Sequence, residues 1–172
     1  MSNLAEREIP TLAAHSAASS ETQQFLTFTV GQEEYGVDIM MIREVKGWSD
    51  TTRLPNSPTY VRGVLNLRGI IIPIFDLRAR FSGELTQATE KHVVVIIAVG
   101  NRIMGLLVDT VSDILTVAQS DIKPAPENNG GMEAMFVSGL IAVEGRMVVL
   151  LDIAVLLSRD EHLADSARSL KA

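Results

Sequence analysis

Cysteine is absent from this chain of 172 residues. There is therefore no disulfide, no thiolate nucleophile and no cysteine metal site, a composition that fits a reducing compartment. Histidine is nearly absent too. Of the three, His15 and His162 fall in the terminal stretches, and His92 opens an expected strand, where a lone histidine is structural or solvated. No basic run occurs, and the formal net charge is −6, from 15 basic and 21 acidic residues. This excludes a nucleic-acid-binding surface and the polybasic helix of a membrane-surface protein. The longest apolar run, Val93–Val99, is far too short to span a bilayer. The N-terminus carries Glu6 and Glu8 and no apolar segment, so it does not read as a signal peptide, and the expected location is the cytoplasm.

The motifs of catalysis are missing as well. There is no GxSxG elbow, P-loop, GxGxxG fingerprint or HExxH. Asp109, Asp113 and Asp152 lack the spacing of a calcium loop, and a capping or solvated role is expected for each. Gly130-Gly131 reads as a flexible loop, and the seven methionines read as core rather than as a binding surface. No metal, cofactor or catalytic residue is expected.

What is present is centred on Val61–Phe81, VRGVLNLRGIIIPIFDLRARF. Val64, Leu65 and Leu67 read as strand, Arg68-Gly69 as a tight turn, and the β-branched run Ile70–Phe75 as a second strand. Asp76 then stands where a helix N-cap belongs, ahead of one helical turn. The same unit recurs 76 residues on, as VSGLIAVEGRMVVLLDIAVLLS. Gly63 falls on Gly139, Gly69 on Gly145 and Asp76 on Asp152. A shorter echo lies at a shift of 69, with Gly31 on Gly100, Gly36 on Gly105 and Glu44 on Asp113. The difference between the two shifts places about seven extra residues in the Pro/Asn/Gly-rich stretch 123–131. The pattern is that of a duplicated β module.

In chain order, residues 1–24 read as a flexible tail. Phe25–Val30 alternates as a half-buried strand, Gly31–Glu34 as a hairpin loop and Tyr35–Ile39 as its return. Met40–Val45 is ambiguous between helical turn and strand, and Ser57-Pro58 reads as a helix start. Residues 83–91 form a polar linker. His92–Val99 is apolar on both faces and so is expected to be central. Val111–Val117 reads as strand or irregular structure, and 159–172 as a tail or short helix. Arg62 and Arg68 bracket the central hairpin, and Glu44 lies among apolar residues. That mixture suits a docking surface, and equally suits two solvated turn arginines.

At EEYGVDIMMIREV, Val61–Phe81, GLLVDTVSDIL and the KPAPE stretch, in that family's order, the chain resembles the CheW family of bacterial chemotaxis adaptors. The resemblance covers about Phe25 to Ser158. It implies a mainly β fold of two small five-stranded SH3-like barrels packed together with short helical turns. The subdomains would be approximately 25–82 and 92–158, with strand exchange between them left open. The same fold forms the regulatory domain of the histidine kinase CheA. The resemblance further implies a non-enzymatic adaptor bridging the cytoplasmic tip of methyl-accepting chemoreceptors to a CheA-type kinase, with no cofactor, no nucleic acid and no membrane insertion. Carried over, the receptor-facing positions are Ile42, Glu44, Gly63, Asn66 and Arg68, and Ile39 is the kinase-facing one. The alternatives are an adaptor in a receptor–kinase pathway outside chemotaxis and a small-ligand-binding β-barrel.

Overall fold

Hairpins dominate the chain because short β-branched and aromatic runs are separated by residues that accept left-handed backbone. At Arg68-Gly69 both residues have positive φ, 50° and 90°, and at Glu144-Gly145 the values are 47° and 79°. Two successive positive values define the primed turn that matches strand twist. The computed structural model describes residues 21–125 and 136–158. Most of the expected N-terminal tail, the 159–172 stretch and Gly130-Gly131 lie outside these residues.

Among the described residues there are ten strands: β1 (Thr22–Val30), β2 (Glu33–Asp38), β3 (Ile42–Gly47), β4 (Val61–Leu67), β5 (Ile70–Asp76), β6 (Val93–Val99), β7 (Arg102–Val108), β8 (Thr110–Ala118), β9 (Val137–Val143) and β10 (Arg146–Leu151). Two short helices, α1 (Leu77–Ser82) and α2 (Ile153–Leu156), follow β5 and β10. Each is N-capped by the expected aspartate. Asp76 accepts from Ala79 N–H and Asp152 from Val155 N–H.

Several local expectations change. β1 begins at Thr22, inside the stretch read as tail, and Glu33-Glu34 already belong to β2. Met40–Val45 splits into a 3-10 turn, Ile39–Met41, and the start of β3. Ser57 caps no helix. Its hydroxyl donates to the Leu54 carbonyl at 2.7 Å, and the chain makes only a turn before β4. Val111–Val117 is strand, with a bulge at Ser112 where it passes Thr27 and Phe28 of β1. β1 is not half-buried: Thr27, on its polar face, is fully buried and exchanges hydrogen bonds with Asp113 of β8.

The strands form two five-stranded sheets, β8-β1-β2-β10-β9 and β3-β6-β7-β5-β4. Their topologies are identical once β1–β5 are equated with β6–β10. In each, a parallel pair joins the hairpin to the rest, β2 with β10 and β7 with β5. Each sheet therefore takes one hairpin from one copy of the repeat and three strands from the other. At the parallel pairs side chains close over the glycine backbones. A Cβ on Gly36 would lie 3.0 Å from Leu150, and one on Gly105 2.6 Å from Ile74.

Each sheet also curls. The chain running on from edge strand β3 meets the opposite edge at the Thr52–Val64 bridge, with hydrogen bonds of 2.9 and 2.7 Å. The chain beyond β8 does the same at Lys123–Leu140, with two of 2.8 Å. Alternation along the strands fills three cores. Phe25, Ile141, Val148 and Leu150 lie within the first sheet, and Leu67, Ile72, Ile74, Val94, Ile96 and Leu107 within the second. The largest cluster lies between them, where Phe28, Phe75, Val95, Ile97, Leu106 and both helices meet. β6 serves two cores at once, which is why His92–Val99 is apolar on both faces.

Candidate functional site: the two edges of the second sheet

β3 and β4 are opposite edges of the second sheet, yet its curl brings them together. Glu44 stands on β3 and Arg68 at the β4–β5 turn, and their side chains form a hydrogen-bonded ion pair. The hydrogen bond that Arg68 donates to Glu44, then the charge of that carboxylate, raises the Arg68 guanidinium above its ordinary pKa. Arg68 is 72% exposed and Glu44 30%.

The frame beneath the pair is rigid for local reasons. Asn66 Oδ1 accepts from Gly69 N–H at 2.8 Å and closes the turn that presents Arg68. Gly63 has φ 133°, and a Cβ there would lie 2.3 Å from the Thr52 carbonyl oxygen. Only glycine permits the bridge that curls the sheet. Ile42 and Ile39 are partly buried and pack against the core between the sheets. Ile39 begins the 3-10 turn that carries the chain from the first sheet to the second, and Asp38 holds that turn by accepting from Met40 N–H at 2.9 Å.

The five positions that the resemblance led one to expect at a receptor, Ile42, Glu44, Gly63, Asn66 and Arg68, and Ile39 thus lie on one edge-to-edge frame and the crossing that leads into it. Residue reasoning missed the apolar side chains exposed around them, Met40 (83%), Val45 (43%) and Ile70 (39%). Simple alternation gave no signal for Val45, because a bulge at Arg43 breaks it: Ile42 lies opposite Ile97 and Val45 opposite Val95, on one face, while Glu44 lies opposite Ile96 on the other.

Arg62 does not belong to this surface, contrary to its pairing with Arg68 at the sequence level. It reaches inward, donating to Asp76 at 3.2 Å and to the Thr86 carbonyl at 2.7 Å, with its guanidinium over Trp48. Asp109 is likewise no solvated residue. It accepts from Gly31 N–H at 2.8 Å and from Arg78 at 2.7 Å, and it faces His92 Nε2 at 3.5 Å, tying the sheets together where β7 passes to β8. Among the described residues, no group of three or more His, Asp or Glu side chains is placed to hold a metal ion.

Two curled sheets of matched topology, joined by reciprocal exchange of hairpins, define a CheW-like architecture, and the CheW-like domain model matches residues 24–161. The chain belongs to the CheW-like family. It is 43% identical over 152 residues to the chemotaxis protein CheW of Klebsiella aerogenes, covering 87% of this chain and 92% of that protein. It is 42% identical over 142 residues to that of Rhizobium meliloti, covering 83% and 92%. The crystal structure of the scaffolding protein TtCheW from Thermoanaerobacter tengcongensis aligns with a TM-score of 0.72 at 27% identity, covering 78% of this chain and 87% of that one.

Proposed function

We propose that this protein is a chemotaxis adaptor with no catalytic activity of its own, coupling the cytoplasmic tip of chemoreceptors to a CheA-type histidine kinase. Family membership supports the class, as do the names of relatives more than 40% identical over most of their length. The observation that carries the site is the Glu44–Arg68 pair, which joins both edges of the second sheet into one presented surface. The receptor-facing residues on this reading are Ile42, Glu44, Gly63, Asn66 and Arg68, and Ile39 faces the kinase. Arginine suits such a surface because its planar fork offers several donors in fixed directions, and at 72% exposure most of that fork is open to a partner. The acting unit is the 25–158 region with its two subdomains, working in the cytoplasm beside membrane-borne receptors. Among the described residues, no helix is long and apolar enough to cross a membrane. Moderate affinity at separate faces is enough, because simultaneous engagement multiplies weak contacts.

The test is a pull-down of the full chain with a chemoreceptor cytoplasmic fragment and a CheA-type kinase, separately and together. Capture by each alone and a ternary complex with both are expected. Failure to bind either partner would overturn the reading.

A further inference from the structure

Arg80, on α1, lies between two aromatic rings. Its guanidinium carbon is 4.9 Å from the Tyr60 ring centroid and 4.7 Å from that of Phe136. The rings are equivalent positions of the two repeats, related by the shift of 76. Their backbones play the same part, since the Tyr60 carbonyl accepts from Asp76 N–H and the Phe136 carbonyl from Asp152 N–H, each at 2.7 Å. Tyr60 leads into β4 of the second sheet and Phe136 into β9 of the first. One cation thus touches matching points on both sheets. The repeat does not supply a second, because the position equivalent to Arg80 is Leu156, fully buried in the core between the sheets. Among the described residues the buried Arg80 Nε finds no acceptor, while both ring faces lie within cation–π reach of the guanidinium.

We infer that Arg80 is a positioning residue: a cationic pin between the quasi-equivalent rings that sets the angle between the sheets. Through that angle it sets the shape of the receptor-facing edge. The link is short. The turn Ile39–Met41 is where the chain crosses from the first sheet to the second, and Ile39 and Ile42 pack on the same core that holds Phe136 and α1. A change in the angle therefore displaces β3, and Glu44 with it. This inference rests on the proposed adaptor reading for its binding consequence, and not for the joint itself.

The absence of cysteine makes a direct test simple. Asn101→Cys, in the β6–β7 turn, and Ser112→Cys, on exposed β8, place one spin label on each sheet of the full chain. The parent should give one narrow distance distribution. Arg80→Met keeps the stem and removes the cation, and should broaden it; Arg80→Lys, which retains a cation between the rings, should keep it narrow. Affinity for a chemoreceptor fragment should fall roughly fivefold in the methionine variant and recover in the lysine one. A distribution as narrow in Arg80→Met as in the parent, or equally broad in Arg80→Lys, overturns the pin. Broadening in a protein whose parent binds no receptor fragment upholds the pin and overturns the adaptor reading instead. Should Arg80→Met fail to fold, Tyr60→Leu removes one ring face and is judged by the same distances.

Discussion

Arg68 and Gly63 show how differently two neighbouring residues serve one surface. The Arg68–Glu44 pair is too exposed to contribute much to folding, because water and salt screen it. Its use lies in what it presents. Arg68→Ala should weaken binding of a chemoreceptor fragment roughly ten- to a hundredfold, as for a lost charge-assisted hydrogen bond. Kinase affinity should stay nearly unchanged and the melting temperature move by no more than about 2 °C. Parallel titrations and a melting curve check this, and equal loss at both partners would make Arg68 a structural residue. Gly63 is the opposite case. With 2.3 Å between a would-be Cβ and the Thr52 oxygen, Gly63→Ala must break the bridge between β4 and the chain beyond β3, at about 3 kcal/mol in urea denaturation. Gly69→Ala meets nothing within 4 Å and should cost only about 1 kcal/mol, for its left-handed backbone.

The two capped helices follow the same local rule and differ in what surrounds the cap. Asp76 is fully buried and accepts four hydrogen bonds, from Ala79 N–H, Thr86 N–H, the Thr86 hydroxyl and Arg62. Asp152 is partly exposed and accepts from Val155 N–H at 3.1 Å. Removing Asp76 leaves two buried donors of Thr86 without their acceptor and takes the counter-charge from Arg62, so Asp76→Ala should destabilise by about 3 kcal/mol. Asp152→Ala should cost about 1 kcal/mol, the ordinary value of a helix cap. Equilibrium denaturation of the two variants side by side measures the difference; near-equal losses would show that the Arg62–Thr86 network around Asp76 adds nothing beyond the cap.

Across the whole molecule, the exchange of hairpins makes each copy of the repeat incomplete. β1 and β2 have their pairing partners, β8 and β10, in the other copy, and β6 and β7 have theirs in β3 and β5. A fragment of residues 1–90 or 91–172 alone should therefore show no cooperative thermal transition. Mixing the two should restore strand circular dichroism and a single melt. Independent folding of either fragment would mean that a hairpin can close back onto its own copy.

The sequence by itself determined whatever depends on neighbours in the chain. Alternation marked the strands, paired glycines marked the primed turns, and Asp76 and Asp152 marked the caps. The shifts of 69 and 76 revealed that all of this occurs twice. Glu44 and Arg68 stood out as charges among apolar neighbours, and the family resemblance made them expected receptor-facing positions. Their contact was not legible, because they lie on opposite edges of a sheet whose curl depends on Thr52 reaching Val64. The tertiary structure alone decided that Arg62 turns inward while Arg68 stays out, that Thr27 is buried, and that Arg80 sits between Tyr60 and Phe136. It also decided which sheet each hairpin enters. The two copies carry the same alternation and the same turns, so either hairpin satisfies the local pattern in either sheet. Only the packing of side chains distant in sequence distinguishes them.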